Sequence, residues 1–474
     1  MPVLEATTAP ATVRPTSTPT PAAEAPQPRT TVNTAAAMRQ PGALDAHWMP
    51  FTGNRDFKAR PRLMVSAQGS YFTDADGRQI FDGLSGLWCT GLGHARAEIV
   101  QAVQRQVAEL DYSPAFNFGH PLSFELANRI VERMPAGLDR VFFTGSGSES
   151  ADTSLKMARA YWRAKGQASK TRLIGRQKGY HGVNFGGISV GGIVGNRKTF
   201  GQGIEADHLP HTQPPMGSFY RGMPETGAEL ADDLLALIAL HDASNIAAVI
   251  VEPFSGSAGV VIPPKGYLQR LREICTQNNI LLIFDEVITG FGRTGSWTGA
   301  EAFGVTPDIL NIAKQVTNGV QPLGAVVARR DIHDTFMDAG GPDYMLEFPH
   351  GYTYSAHPVA CAAGVASLDL LASDNALQRV RELSPHFERA VHGLQGAKHV
   401  ADIRNFGLAA GISIAPVPGE PAKRPYDIAM AMFQKGFYVR NGGDTVQLAP
   451  PFISTPQEID RLVDALGETL QQTA

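Results

Sequence analysis

Six short apolar runs in the middle of the chain restrict its fold more than any other feature. They are 141–144 (VFFT), 172–175 (RLIG), 247–251 (AAVIV), 280–284 (ILLIF), 308–312 (DILNI) and 325–328 (AVVA). Runs without regular polar alternation suit strands buried on both faces. Helical patterns separate several of them: in 266–278, Leu268, Leu271, Ile274 and Cys275 fall on one face. Strands alternating with helices predict an α/β class chain with a mostly parallel, three-layer sheet. After residue 360 the pattern turns to longer helices with fewer strands. There Thr455-Pro-Gln-Glu458 reads as a capping box with Pro at the first helical position, opening a last helix with Ile459, Leu462, Val463 and Leu466 inward. The expected organisation is a large domain over 101–359 and a smaller α+β domain built from both chain ends, 44–100 and 360–474.

Residues 1–43 are rich in Ala, Pro and Thr and poor in large apolar side chains. Such a segment cannot bury enough surface to offset its ordering entropy, so a disordered tail is expected. It lacks the basic start and apolar core of a secretory signal. The net charge of −4 argues against a nucleic-acid partner. No run approaches the ~20 apolar residues of a membrane span. Cys89, Cys275 and Cys361 are far apart, odd in number and form no CxxC. No metal site or disulfide framework is expected, and a cytoplasmic protein with reduced thiols is.

Asp285-Glu286 ends the ILLIF run, and two acids at the carboxyl end of a buried strand are costly without partners. In open α/β sheets ligands sit at that edge. Lys314 follows the DILNI run in the same way. Alone, the acids read as a cap or buried ion pair and the lysine as a snorkelling surface residue. Together they place an amine and a buried carboxylate at one sheet edge, the pair that pyridoxal phosphate chemistry needs. Gly145-Ser-Gly-Ser148 enters a helical pattern over 149–162, which suits a phosphate at a helix N-terminus. Tyr180, in GYHG after the RLIG run, could stack on a flat ring or simply pack. Gly187-Ile-Ser-Val-Gly191 matches a nucleophile elbow, but no apolar strand leads into it and no clear helix follows.

The runs IFDEVITGFGRTG, IAKQVTNGVQPLGAVVA and HGYTYSAHPVACAAG resemble the class III aminotransferases of pyridoxal phosphate fold type I. The resemblance covers nearly the whole chain from Leu44. LDAHWMPFT, FDGLSGLWC, GYHGVN, HDASNIAAVIVEP and YVRNGGDTVQ are most similar to the branch that uses ω-amino acids and pyruvate. The resemblance implies that Lys314 forms the Schiff base with pyridoxal 5′-phosphate. It implies that Asp285 pairs with the pyridine nitrogen, that Tyr180 and Val287 flank the ring, and that Ser146, Gly147 and Ser148 bind the phosphate. His181 and Glu252 belong to the cofactor set in the same way. Thr353 is expected to reach the phosphate of a neighbouring subunit, so a homodimer is the minimum assembly and a tetramer is compatible. Phe51, Trp88, Tyr180, Tyr352 and Arg440 are expected around the substrate, with Arg440 taking its carboxylate. Gly145 and Asn441 depart from the pattern, which has Asn and a larger aromatic at those places. The implied reaction moves the amino group of β-alanine to pyruvate, giving malonate semialdehyde and L-alanine. Related enzymes acting on taurine, putrescine or arylalkyl amines are the alternative within the family. A decarboxylase or racemase-like reaction would use the same Lys and Asp. A binding protein on an old enzyme fold would not need them.

Overall fold

The computed structural model describes residues 37, 38, 40 and 42–474; the rest of the tail expected over 1–43 lies outside the described residues. The chain divides into two units, Met1–Val65 and Ser66–Ala474. The described part of the first holds one short helix, Asn54–Ala59, whose Asn54 side chain accepts the Met49 N–H at 3.0 Å and donates to the Met49 carbonyl at 2.9 Å.

The second unit is built on a seven-stranded sheet. Its spatial order is Leu138–Thr144, Gly324–Arg329, Ile309–Ile312, Leu281–Asp285, Ile246–Val251, Arg172–Arg176 and Ala206–Leu209. Gly324–Arg329 runs antiparallel to both of its neighbours, and all other neighbouring pairs are parallel. Leu282, Phe284, Leu310 and Ile312 pack on one face with Leu268, Leu271 and Ile274 of the Tyr267–Gln277 helix. Leu281, Ile283 and Ile309 pack on the other with Leu155, Met157, Ala158 and Trp162 of the Gly147–Ala164 helix. Each such side chain, fully buried, contributes roughly 1.5–3 kcal/mol. This is the expected three-layer sandwich. The six co-directional strands release their loops at one edge, and every polar segment singled out between residues 145 and 314 leaves from there.

The structure adds strands that the apolar pattern does not reveal. Ala206–Leu209 pairs parallel with Arg172–Arg176 at the sheet's end. Residues 400–448 hold a four-stranded antiparallel sheet: Val400–Phe406, Ala409–Ile414, Thr445–Leu448 and Arg440–Gly442. Phe437–Tyr438 pairs parallel with Gln79–Asp82, joining distant parts of the chain in one further sheet. The Pro456–Gln472 helix opens on the expected capping box and buries Ile459, Leu462, Val463 and Leu466. The 187–191 motif sits in the short Phe185–Val190 helix; buried Ser189 Oγ donates to Phe185 O and accepts from Gly203 and Ile204 N–H, a structural role. No helix among the described residues is long and apolar enough to cross a membrane.

Candidate active site

Asp285 is the last residue of its strand and is buried. Two contacts fix its carboxylate: His181 Nδ1 lies 2.8 Å from Oδ2, and Val287 N–H donates to Oδ1 at 3.2 Å. His181 is buried as well, and its Nε2 has no hydrogen-bond partner among the described residues. Glu286 points elsewhere. Its carboxylate accepts from the N–H groups of Gly299 and Ala300 (the latter at 2.6 Å) and from Thr289 Oγ1 at 3.1 Å. It therefore anchors the first turn of the Gly299–Phe303 helix, so the two adjacent acids divide into one for the site and one for the scaffold.

Lys314 begins a short 3₁₀ turn, Lys314–Thr317, directly after the Ile309–Ile312 strand, with a left-handed φ of 52°. Burial holds its amine below the usual lysine range; Asp285, Cys89 and Glu252 oppose the shift and Arg440 reinforces it. Those four groups thus share one electrostatic environment with the amine. Glu252 follows the Ile246–Val251 strand, accepts the Tyr180 N–H at 3.0 Å and the Gly256 N–H at 3.1 Å, and is pushed up to about 7 by burial. Burial also raises the half-buried Tyr180 phenol, which lies near Arg440, Asp285 and Glu252.

Ser146 caps the Gly147–Ala164 helix. Its hydroxyl accepts the Glu149 N–H at 3.2 Å, while the Glu149 carboxylate takes the Gly145 N–H at 2.6 Å. The N–H groups of the first turn that follow are those a helix leaves without internal partners. Two glycines bring the neighbouring loops onto this turn. A Cβ on Gly182 (φ 88°) would lie 2.4 Å from Ser148 Oγ, and one on Gly147 would lie 2.9 Å from Val287 Cγ1. Ser148 Oγ accepts the Val183 N–H at 3.2 Å. The phosphate-type turn, the Tyr180–His181 loop and the Asp285–Val287 loop are therefore in direct contact.

The remaining expected residues are placed less uniformly. Arg440 opens a three-residue strand, half-buried and paired with Gln447. Trp88 is fully buried with a left-handed φ of 69°, its ring 5.8 Å from the Arg293 guanidinium. Tyr352 is attached to the phosphate-side helix: its hydroxyl lies 3.2 Å from Thr153 Oγ1 and donates to Glu149 O at 3.4 Å. Thr353 is exposed and its carbonyl accepts the Tyr112 hydroxyl at 3.2 Å. Phe51 belongs to the N-terminal unit and is 80% exposed there.

Sequence reasoning missed Asp82 and Cys89. Buried Asp82 accepts the N–H groups of Gly86 (2.6 Å) and Leu84 (3.2 Å) and holds the left-handed turn through Ser85, Gly86 and Trp88. That turn ends at Cys89, whose thiol and the Lys314 amine influence each other's charge. Nothing local marks either residue; only the distance in sequence between 82 and 314, collapsed by the fold, reveals them.

These residues fit pyridoxal phosphate: a buried carboxylate held by a histidine, an amine with depressed basicity, an aromatic residue next to that histidine and a capped helix start in contact with the loops that carry the carboxylate and the aromatic residue. Comparison with known proteins agrees. Residues 53–470 match the family model described as aminotransferase class-III. The chain is 64% identical to a beta-alanine–pyruvate aminotransferase of Pseudomonas aeruginosa over 91% of its own length and 96% of that protein's. It is 62% identical to an omega-amino acid–pyruvate aminotransferase of Pseudomonas putida over 90% and 96%. Among solved structures, an amine transaminase from an uncultivated Pseudomonas species, in its PLP-bound form, superposes with a TM-score of 0.82 at 35% identity, covering 90% of this chain and 99% of that one.

Proposed function

Because this chain belongs to the class III aminotransferases, which work with pyridoxal phosphate, we propose that it is an ω-transaminase moving the amino group of β-alanine to pyruvate. Related ω-amino acids or amines are its other donors. The products are malonate semialdehyde, or the matching carbonyl compound, and L-alanine, formed in a ping-pong cycle. The observation that carries this reading is that Asp285, held by His181, and Lys314 stand at the same end of two neighbouring parallel strands, in a chain 64% identical to a beta-alanine–pyruvate aminotransferase.

When bound, pyridoxal phosphate supplies a ring that takes up the electron pair left when a proton leaves the substrate carbon. The chain's own residues supply the rest. Lys314 would hold the cofactor and, once free, would carry the proton from the substrate carbon and return it; burial keeps more of its amine in the basic form at neutral pH. Asp285, fixed by His181, would keep the ring nitrogen protonated. Tyr180 and Val287 would hold the ring, Glu252 accepts the Tyr180 N–H, and the Ser146–Gly147–Ser148 turn would take the phosphate. Arg440 grips the donor's carboxylate in bidentate fashion. Swung aside, it leaves space beside Trp88 and Tyr352 for an uncharged amine.

The working unit in this reading is a homodimer, in which Thr353 completes the neighbour's phosphate site. Thr353 is exposed, and so are Phe116, Phe118, Phe124 and Tyr354. Phe116, Phe118 and Phe124 line a hollow of about 310 Å³ together with His350 and Gly351. An apolar patch of this kind marks an interaction surface. All three cysteines are free thiols, which suits a reducing cytoplasm.

The test is the visible spectrum of the purified holoenzyme. A yellow band that bleaches with β-alanine and returns with pyruvate is the expected result. A band indifferent to β-alanine but bleached by putrescine or an arylalkyl amine moves the donor to that class, and no band in the presence of added cofactor rejects the reading.

A further inference from the structure

The turn that begins at Lys314 is fastened to residues 91–93 by two buried amides. Gln315 Oε1 accepts the Gly91 N–H at 2.6 Å. Asn318 Oδ1 accepts the Leu92 N–H at 3.0 Å, and Asn318 Nδ2 donates to Gly93 O at 2.8 Å. The two amides also bond each other, Gln315 Nε2 donating to Asn318 Oδ1 at 3.2 Å. Both side chains are buried. Small residues make room for the contact: a Cβ on Gly91 would lie 2.6 Å from Gln315 Oε1, and one on Gly319 would lie 3.0 Å from Cys89 Sγ.

Two further facts give this contact a direction. Lys314 and Asn318 both have left-handed φ, 52° and 51°. A lysine does not hold that conformation unaided, so the surroundings must impose it. The segment at the other end of the bonds is continuous with the Asp82-held turn that carries Trp88 and Cys89. Three of the four bonds thus join the lysine's turn to the segment that follows Trp88 and Cys89, and the fourth ties the two amides together.

We propose that Gln315 and Asn318 are positioning residues: a clamp that sets the Lys314 amine against segment 84–93, and so against the reacting carbon of the substrate. The proposal rests on the reading of Lys314 as the cofactor-holding residue. A displacement of about 1 Å at a reacting group costs on the order of 100-fold in rate while leaving binding nearly intact.

The test compares holoenzyme carrying Gln315→Met, Gln315→Glu or Asn318→Leu with wild type and with Thr455→Ala, which removes the hydroxyl that accepts the Glu458 N–H at 3.2 Å in the cap of the Pro456–Gln472 helix. Three quantities are read: kcat and KM for β-alanine, the pH midpoint of the visible band, and amide exchange across residues 89–93. Gln315→Met and Asn318→Leu should lower kcat about 10- to 100-fold with KM within about twofold. They should raise the pH midpoint by about half a unit or more as water reaches the amine. Exchange at 89–93 should rise about tenfold. Gln315→Glu, which keeps the acceptor for the Gly91 N–H and loses the donor to Asn318, should recover part of the rate, and Thr455→Ala should leave kcat and midpoint unchanged. If the clamp variants only melt earlier, with kcat and midpoint as in wild type, the residues are plain scaffold and the proposal is wrong. Lys314→Ala tests the underlying reading separately: a wild-type visible band in that variant would overturn the role of Lys314 itself.

Discussion

In the proposed reaction Arg440 would meet two demands that one fixed side chain cannot satisfy: a donor whose carboxylate lies one carbon farther from the amine than in an α-amino acid, and an acceptor with an α-carboxylate. It opens a three-residue strand and is half-buried, and its charge bears on both Lys314 and Tyr180. Losing one partner of a desolvated charge pair costs several kcal/mol. Arg440→Ala is therefore expected to lower kcat/KM for β-alanine by about 100-fold or more while an uncharged arylalkyl amine loses less than about threefold. Steady-state kinetics with both donors check this, and equal losses would remove Arg440 from the carboxylate site. At this scale Lys314 and Asp285 were legible because a charge at the end of an apolar run has no cheap structural explanation. Gln315, Asn318 and Asp82 were not, because a polar residue in a loop looks solvated until the fold buries it.

Two helices begin with the same device and serve different ends. Ser146 caps Gly147–Ala164 and Thr455 caps Pro456–Gln472, each hydroxyl accepting an N–H three residues on at 3.2 Å. Removing either hydroxyl should cost about 1 kcal/mol of stability. Only Ser146→Ala is expected to weaken retention of pyridoxal phosphate as well, measured by dialysis against cofactor-free buffer; loss from Thr455→Ala to the same degree would mean that retention follows global stability alone. Strands differ in legibility for a related reason. Ile246–Val251 and Leu281–Asp285 lie inside the sheet and are buried throughout, so their apolar runs stand out. Ala206–Leu209 is an edge strand with Asp207 and His208 only partly buried. The Val400–Phe406, Ala409–Ile414 and Thr445–Leu448 strands are disguised by polar residues that satisfy one another. Arg404 is fully buried, donates to Ser413 Oγ at 2.9 Å and to Thr445 Oγ1 at 3.2 Å, and so breaks the apolar signal without breaking the core.

Across the whole molecule, buried carboxyl groups tie stability to pH. Burial lifts Glu252 and Glu286 from an ordinary 4.5 to about 7. In that interval the folded chain binds more protons than the unfolded chain, so their contribution to stability is full below about pH 4.5 and is lost as pH rises toward 7. Urea midpoints measured from about pH 5 to about pH 8 should fall from this source, and Glu252→Gln should flatten part of the decline; parallel curves for the two proteins would contradict it. The order of the strands adds a constraint in time. Leu138–Thr144, which delivers the phosphate-binding turn, has a single neighbour in the sheet, the antiparallel strand Gly324–Arg329. A ribosome extending this chain makes the phosphate turn early, yet its strand has no partner in the sheet until residues 324–329 emerge, with Lys314 already made. The strand that ends in that turn and the strand that leads to Lys314 therefore gain their common neighbour in a single event.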